Sequence, residues 1–235
     1  DGFRPPEIDV PLAERTAEDR WVLSEIHAVA KTVEEGFEKY DYAVGREALE
    51  KFFWATYCDN YLELVKDRFW RRELHSDESR ASAHATLYES LGILLHLFAP
   101  YQPFITEAVW QRTFGEFEDA VCLHVSPWQA ANEEAISLAD NNPEIEILLP
   151  VLTAVRQLRS NDRIPAGRVL KRLVLDLSGA KPETASLAQA MESSLLGAAR
   201  AEAVAFDGEL PEANTTLEES GIAVGIVDAP PEEEA

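Results

Sequence analysis

Along the first half of the chain, apolar residues recur every three or four positions; further on, the pattern gives way to short extended runs. From about Ala17 to Lys39, Val22, Ile26, Val29, Val33 and Phe37 fall on one helical face. Thr16, with Asp19 three residues later, has the spacing of a capping box. Asp41 is placed to cap a second helix that reaches Lys66 to Trp70. Its core stripe is Val44, Ala48, Phe52, Tyr57, Tyr61 and Val65, widened by Phe53, Trp54 and Leu62. The polar break His75–Glu78 leads into a third helix, Ser79–Phe98, with Leu87, Leu91, Leu94, Leu95 and Phe98 inward. Pro100 ends it, and Pro103 opens a shorter fourth helix that runs to Phe114 and stops at Gly115. Helices with short connections and one wide apolar face each make an antiparallel bundle.

Beyond Gly115 the pattern loosens. Val121–Val125 reads as a brief extended piece, followed by an acidic stretch to Asn142. Pro143 suits the first position of a fifth helix, Glu144 to Ser160, which Pro150 should kink or split. Ile164–Gly167 then breaks the pattern. Leu170 to Leu177 reads as a strand, Pro182–Arg200 as helical, and Ala203–Phe206 and Ile222–Val227 as two more strands. The predicted fold is therefore mainly α: an antiparallel helical bundle followed by a small α+β subdomain. The expected organisation is a linker over 1–15, the bundle over 16–142, a connecting helix over 143–165, the α+β subdomain over 166–228 and a frayed tail over 229–235.

Composition adds one complication. The 235 residues carry 21 Lys and Arg against 43 Asp and Glu, a formal net charge of −22. Taken alone, that charge argues against a nucleic-acid partner. The basic residues are clustered, however. Lys66, Arg68, Arg71 and Arg72 form one group; Arg156, Arg159, Arg163, Arg168, Lys171 and Arg172 form another, each with a single acid, Asp67 or Asp162. Arg156, Arg159 and Arg163 recur at helical spacing, so a continuing helix puts them on one face. These ten residues are the candidate RNA contacts, chiefly to phosphates. The prevalence of arginine over lysine beside abundant carboxylates suits a salty cytoplasm. Trp70 is assigned to a core or corner, with base stacking as its alternative; Trp21, Phe52, Phe53, Trp54, Tyr57, Tyr61, Phe104 and Trp110 are assigned to the core.

Catalytic and metal chemistry finds no support. The five histidines form no HxxxH pattern, Cys58 and Cys122 are far apart, and no GxGxxG, Walker loop or GxSxG elbow occurs. The sequence contains no apolar run long enough to span a membrane.

The most informative stretches are longer. RWVLSEI (Arg20–Ile26), FFWATYCDNYLELVKDRFW (Phe52–Trp70), LLHLFAPYQPFITEAVWQ (Leu94–Gln111) and CLHVSPWQ (Cys122–Gln129) follow one another in a fixed order. Together they resemble the anticodon-binding helical bundle of class Ia aminoacyl-tRNA synthetases. The apolar-Phe-Ala-Pro-x-x-Pro-Phe run is shared by the valyl, isoleucyl and leucyl kinds; Cys58–Glu63 with Val65-Lys66, and Ser126-Pro127-Trp128, favour the valyl kind. Physically that run is a helix–proline–helix corner, with Phe104 and Trp110 expected to pack it shut. The resemblance covers about residues 16–165, and in the appended subdomain only LRSNDRIPAGRVL (Leu158–Leu170) is similar. It implies a C-terminal region that holds the tRNA(Val) anticodon arm, joined to the catalytic domain of the same polypeptide, in a cytoplasmic monomer. It places no cofactor in this chain; ATP is implied for the catalytic domain, whose HIGH-like and KMSKS-like motifs do not occur here. Two alternatives stay open: the same domain of an isoleucyl or leucyl enzyme, and a free-standing synthetase-derived module that binds protein.

Overall fold

The computed structural model describes residues 4–117, 122–137 and 142–228. The tail 229–235, the acids Glu118 and Asp119, and Val121 lie outside the described residues. In chain order the elements are α1 (Ala17–Glu38), α2 (Tyr42–Lys51), a π-helical stretch (Phe52–Tyr61), α3 (Leu62–Val65), α4 (Asp67–Trp70), α5 (Asp77–Phe98), α6 (Pro103–Thr113), α7 (Glu133–Ser137) and α8 (Pro143–Asn161). Then come β1 (Arg172–Asp176), α9 (Pro182–Ala190), α10 (Glu192–Ala199), β2 (Val204–Phe206), β3 (Asn214–Thr216) and β4 (Ala223–Val227). The fold is mainly α with a small mixed sheet, as the periodicity predicts. It divides into two compact units, one of Asp1–Leu62 with His75–Asn142 and one of Glu63–Leu74 with Pro143–Ala235.

In the first unit, Val22, Ile26 and Val33 of α1 are fully buried together with Leu23 and Ala30. The expected capping box does not form: Thr16 makes no side-chain cap. Its N–H donates instead to Ser82 Oγ at 3.0 Å. Asp19 is buried, and its carboxylate accepts from the Tyr61 hydroxyl at 2.8 Å and from Ser82 Oγ. A buried carboxylate stays tolerable only with such partners. Asp41 likewise makes no side-chain cap on α2.

The second helix departs from its predicted phase before Phe52 and agrees with it from there to Val65. Its buried positions run Gly45, Leu49, Phe52, then jump five residues to Tyr57 and on to Tyr61. That jump is the i→i+5 spacing of a π turn, and the expected stripe, which also passes from Phe52 to Tyr57, follows it. Val44 and Trp54, expected in the core, are 51% and 64% exposed. Gly45 replaces Val44 on the inner face because α1 approaches there: an added Cβ would stand 3.1 Å from the Cα of Val33. A face built on glycine leaves no hydrophobic signature.

The proline corner forms, but not with the expected pair. Leu95, Ala99, Trp110, Phe114 and Leu123 make its core. The rings of Trp110 and Phe114 stack at 4.9 Å, and His96 meets Trp110 edge-on at 5.3 Å. Phe104, at the second position of α6, points outward and is 90% exposed. Leu123–Val125 is a turn of 3-10 helix rather than an extended piece.

In the second unit, α8 continues through Pro150 without splitting and buries Ile147, Leu148, Val151, Val155 and Leu158. The sheet has the order β2-β1-β4-β3, with β1 and β2 parallel and the other pairs antiparallel. Leu173, Val174 and Leu175 of β1 are all buried, the continuous pattern of a strand covered on both faces. The helical run Pro182–Arg200 divides at Met191 into α9 and α10. Strand β3, Asn-Thr-Thr, has no apolar alternation and was not predicted.

Candidate nucleic-acid interface

A concave recess of about 330 Å³ lies within the second unit. Residues from Glu63 to Arg71, one face of α8, and the C-terminal turn of α10 line it. Its floor is apolar, with Leu152 and Val155 buried and Val169 partly exposed. Its walls carry Lys66, Arg71, Arg156, Arg159 and Arg200 against two carboxylates, Glu63 and Asp67. Cations around a low-dielectric concavity focus the field where an anion would enter.

The five cations do different jobs. Arg71 pairs with Asp67 at 2.7 Å and donates to the carbonyls of Ala201 at 2.6 Å and Leu196 at 3.1 Å. Arg159 is buried and donates to Pro165 O at 3.1 Å and Ala199 O at 2.9 Å. Carbonyls in the last turn of a helix lack intrahelical partners, and two guanidinium groups supply them here for α10. Burial lowers the pKa of Arg159 from its usual value; the Asp228 carboxylate opposes this and Arg200 adds to it. Gly197 lets α10 come this close, since a Cβ there would meet Asp67 Cβ at 3.3 Å. Lys66 pairs with Glu63 at the half-exposed rim. Arg156 is exposed on α8.

The structure thus brings together four of the ten predicted residues: Lys66, Arg71, Arg156 and Arg159. Of these, Arg71 and Arg159 hold the fold, which corrects the expectation that Arg156, Arg159 and Arg163 share one RNA-facing side. The helix ends at Asn161, and Arg163 adopts a left-handed backbone (φ 56°) beyond it. Arg68 is buried. Arg72, Arg163, Arg168, Lys171 and Arg172 are exposed but do not line the recess, and Arg168 pairs with Asp228 at 2.9 Å.

Of two further residues at the recess, Arg200 was not among the expected contacts, and Trp70 had base stacking only as its second assignment. Trp70, assigned to a core or corner, is 71% exposed at the recess. Arg200 caps α10 in a left-handed conformation (φ 49°, ψ 53°), and its guanidinium carbon lies 5.9 Å from the Trp70 ring centroid. In the sequence Arg200 looks like any cation at a helix C-terminus, so only its placement marks it. Among the described residues, no group of three or more His, Cys, Asp or Glu is placed to hold a metal ion. No helix among them is long and apolar enough to cross a membrane.

A family model described as the anticodon-binding domain of tRNA ligase matches residues 19–174. The chain belongs to this family. Within the anticodon-binding family, its similar relatives include the valine–tRNA ligase of Haloarcula marismortui, 32% identical over 152 residues, which is 65% of this chain and 15% of that protein. The valine–tRNA ligase of Anaplasma marginale is 34% identical over 158 residues, 66% of this chain and 18% of that protein. That of Methanopyrus kandleri is 31% identical over 192 residues, covering 81% of this chain and 20% of the relative. The chain therefore spans a fifth or less of the length of these relatives. The matched segment contains Lys66, Trp70, Arg71, Arg156 and Arg159, whereas Arg200 lies beyond its end.

Proposed function

We propose that this chain grips the anticodon arm of tRNA(Val) as one part of a valine–tRNA ligase. The observation that carries this reading is the cation-lined recess of the second unit, in a chain that otherwise repels polyanions. Half-exposed Lys66 and exposed Arg156, at its rim, contact backbone phosphates, while unstacked loop bases supply sequence discrimination. Valine as the amino acid is supported by the similarity to valine–tRNA ligases. Attachment of valine, and the ATP it consumes, belong to a catalytic domain of the same polypeptide; this chain binds no cofactor, acts in the cytoplasm as part of a monomer, and is inactive by itself.

The test is a titration of labelled tRNA(Val), and of the same tRNA with an altered anticodon, at two salt concentrations. Binding is expected to depend on the anticodon and to weaken with salt. Replacing Lys66 and Arg156 together by alanine should lower the salt slope by about 2, roughly one per phosphate contact. Equal affinity for unrelated RNA hairpins, unmoved by those substitutions, would favour the second reading, a protein-binding module, for which the net charge of −22 speaks.

A further inference from the structure

We propose that Trp70 and Arg200 form a clamp that takes one unstacked nucleobase of the bound RNA. The proposal rests on the recess being an RNA site and says what that site holds. Trp70 exposes 71% of its surface beside the concavity, although an indole of this size usually finds burial within its own domain. The Arg200 guanidinium stands over the ring at 5.9 Å, the outer limit of a cation–π contact, so only a loose contact has to part for a base to reach the indole. Trp and Arg side chains both offer planes on which bases stack.

The rest of the recess fits the same ligand. Its apolar floor of Leu152 and Val155 gives a phosphate nothing to bind, and its cationic rim gives an apolar peptide side chain no partner. A nucleotide uses both at once: the ring lies against the indole and the floor, and the flanking phosphates meet Lys66 and Arg156. The volume of about 330 Å³ is at the lower end for a small-ligand pocket. Arg200 lies outside the segment that matches the anticodon-binding family, so base capture recruits the appended α+β subdomain into recognition. Arg200 itself holds the left-handed cap of α10, a conformation that favours Gly or Asn and costs an arginine some strain.

The experiment uses the full chain and a tRNA(Val) anticodon stem-loop carrying 2-aminopurine at successive loop positions. At one position the parent protein should quench the fluorescence on binding. Trp70→Ala should abolish that quench and weaken binding roughly 5- to 150-fold, the range for loss of one base–aromatic stack. It should leave the salt slope unchanged, because stacking releases no counterions. Trp70→Phe should restore affinity to within about threefold of the parent, which a purely structural role for the indole would not predict. Arg200→Lys should weaken binding without restoring the stack, since an ammonium offers no plane. If Trp70→Ala binds as tightly as the parent and keeps the quench, while binding stays anticodon-dependent, the clamp is wrong and the RNA site stands. If the parent shows no anticodon-dependent binding, the RNA site falls and the clamp with it.

Discussion

The two units of this chain differ in where their buried polar groups find partners. The first holds nine Lys and Arg against 24 Asp and Glu, and much of its buried polar pairing is between side chains, as in Asp19–Tyr61–Ser82 and Tyr57–Ser90. The second holds twelve Lys and Arg against 19 Asp and Glu, and its structural polar contacts are guanidinium groups on backbone carbonyls. Arg71 reaches Ala201 across 130 residues of sequence, and Arg159 reaches Ala199 across 40. Counting arginines in such a unit therefore overstates how many await a ligand, because some are structural members. The unit that concentrates positive charge concentrates the capping groups of its own helix as well.

The sharpest test of this contrast lies in the first unit. Trp110→Ala should cost about 3–5 kcal/mol, because the ring is 3% exposed between Phe114 and His96. Phe104→Ala, from the same helix but 90% exposed, should stay within about 0.5 kcal/mol. Denaturant unfolding followed by circular dichroism reads both; comparable costs would contradict the corner described above.

Next comes the guanidinium cap of the second unit. Arg71→Ala should cost about 2–3 kcal/mol, since it removes the ion pair with Asp67 and the guanidinium donor of the Ala201 carbonyl together. Hydrogen exchange read by mass spectrometry should then show protection lost in α10 and β2 but kept in α1. Loss of protection in α1 as well would break the distinction between the units.

The smallest effect is pH-dependent and belongs to the first unit. His27 is buried; the Asn132 N–H donates to its Nδ1 at 3.4 Å, and its Nε2 has no hydrogen-bond partner. Burial lowers its pKa from the ordinary value, against the pull of the Glu89 and Glu34 carboxylates. Above the unfolded value of about 6.5 both states hold the ring neutral; as pH falls through it, the unfolded chain takes up a proton that the folded one resists. Stability should therefore decline as pH falls from 6.5 toward the folded pKa, and His27→Gln should make that decline shallower. Glu25, whose pKa burial raises, contributes with the opposite sign and cancels in the comparison of the two proteins. Parallel pH profiles for parent and variant would remove His27 from the account.

Much of the fold was legible before any coordinates. Helical periodicity located α1 and α8, because each buries a face rich in large aliphatic residues; α5 was located too, although its first half buries Ser82, Ala83, Ala85, Thr86 and Ser90 and leaves the expected Leu87 and Leu91 half-buried. Pro103 marked the start of α6, and the all-apolar run of β1 marked a covered strand. Where the buried face carries little hydrophobic signal, the reading failed. Gly45 hid the phase of α2, and the polar Asn-Thr-Thr of β3 passed as loop.

The candidate site divides along the same line. The sequence by itself determined that basic residues cluster at 66–72 and 156–172, because charge is a property of composition and needs no partner to be counted. Only the tertiary structure decided which of those charges face outward: Arg71 and Arg159 turn to carbonyls that stand near them solely because distant segments pack together. It also put Trp70 and Arg200, 130 positions apart in the chain, 5.9 Å from one another. A hydrophobic pattern records how one element meets the core, but the pairing of a cation with an aromatic ring or a helix end depends on coordinates that no local period encodes.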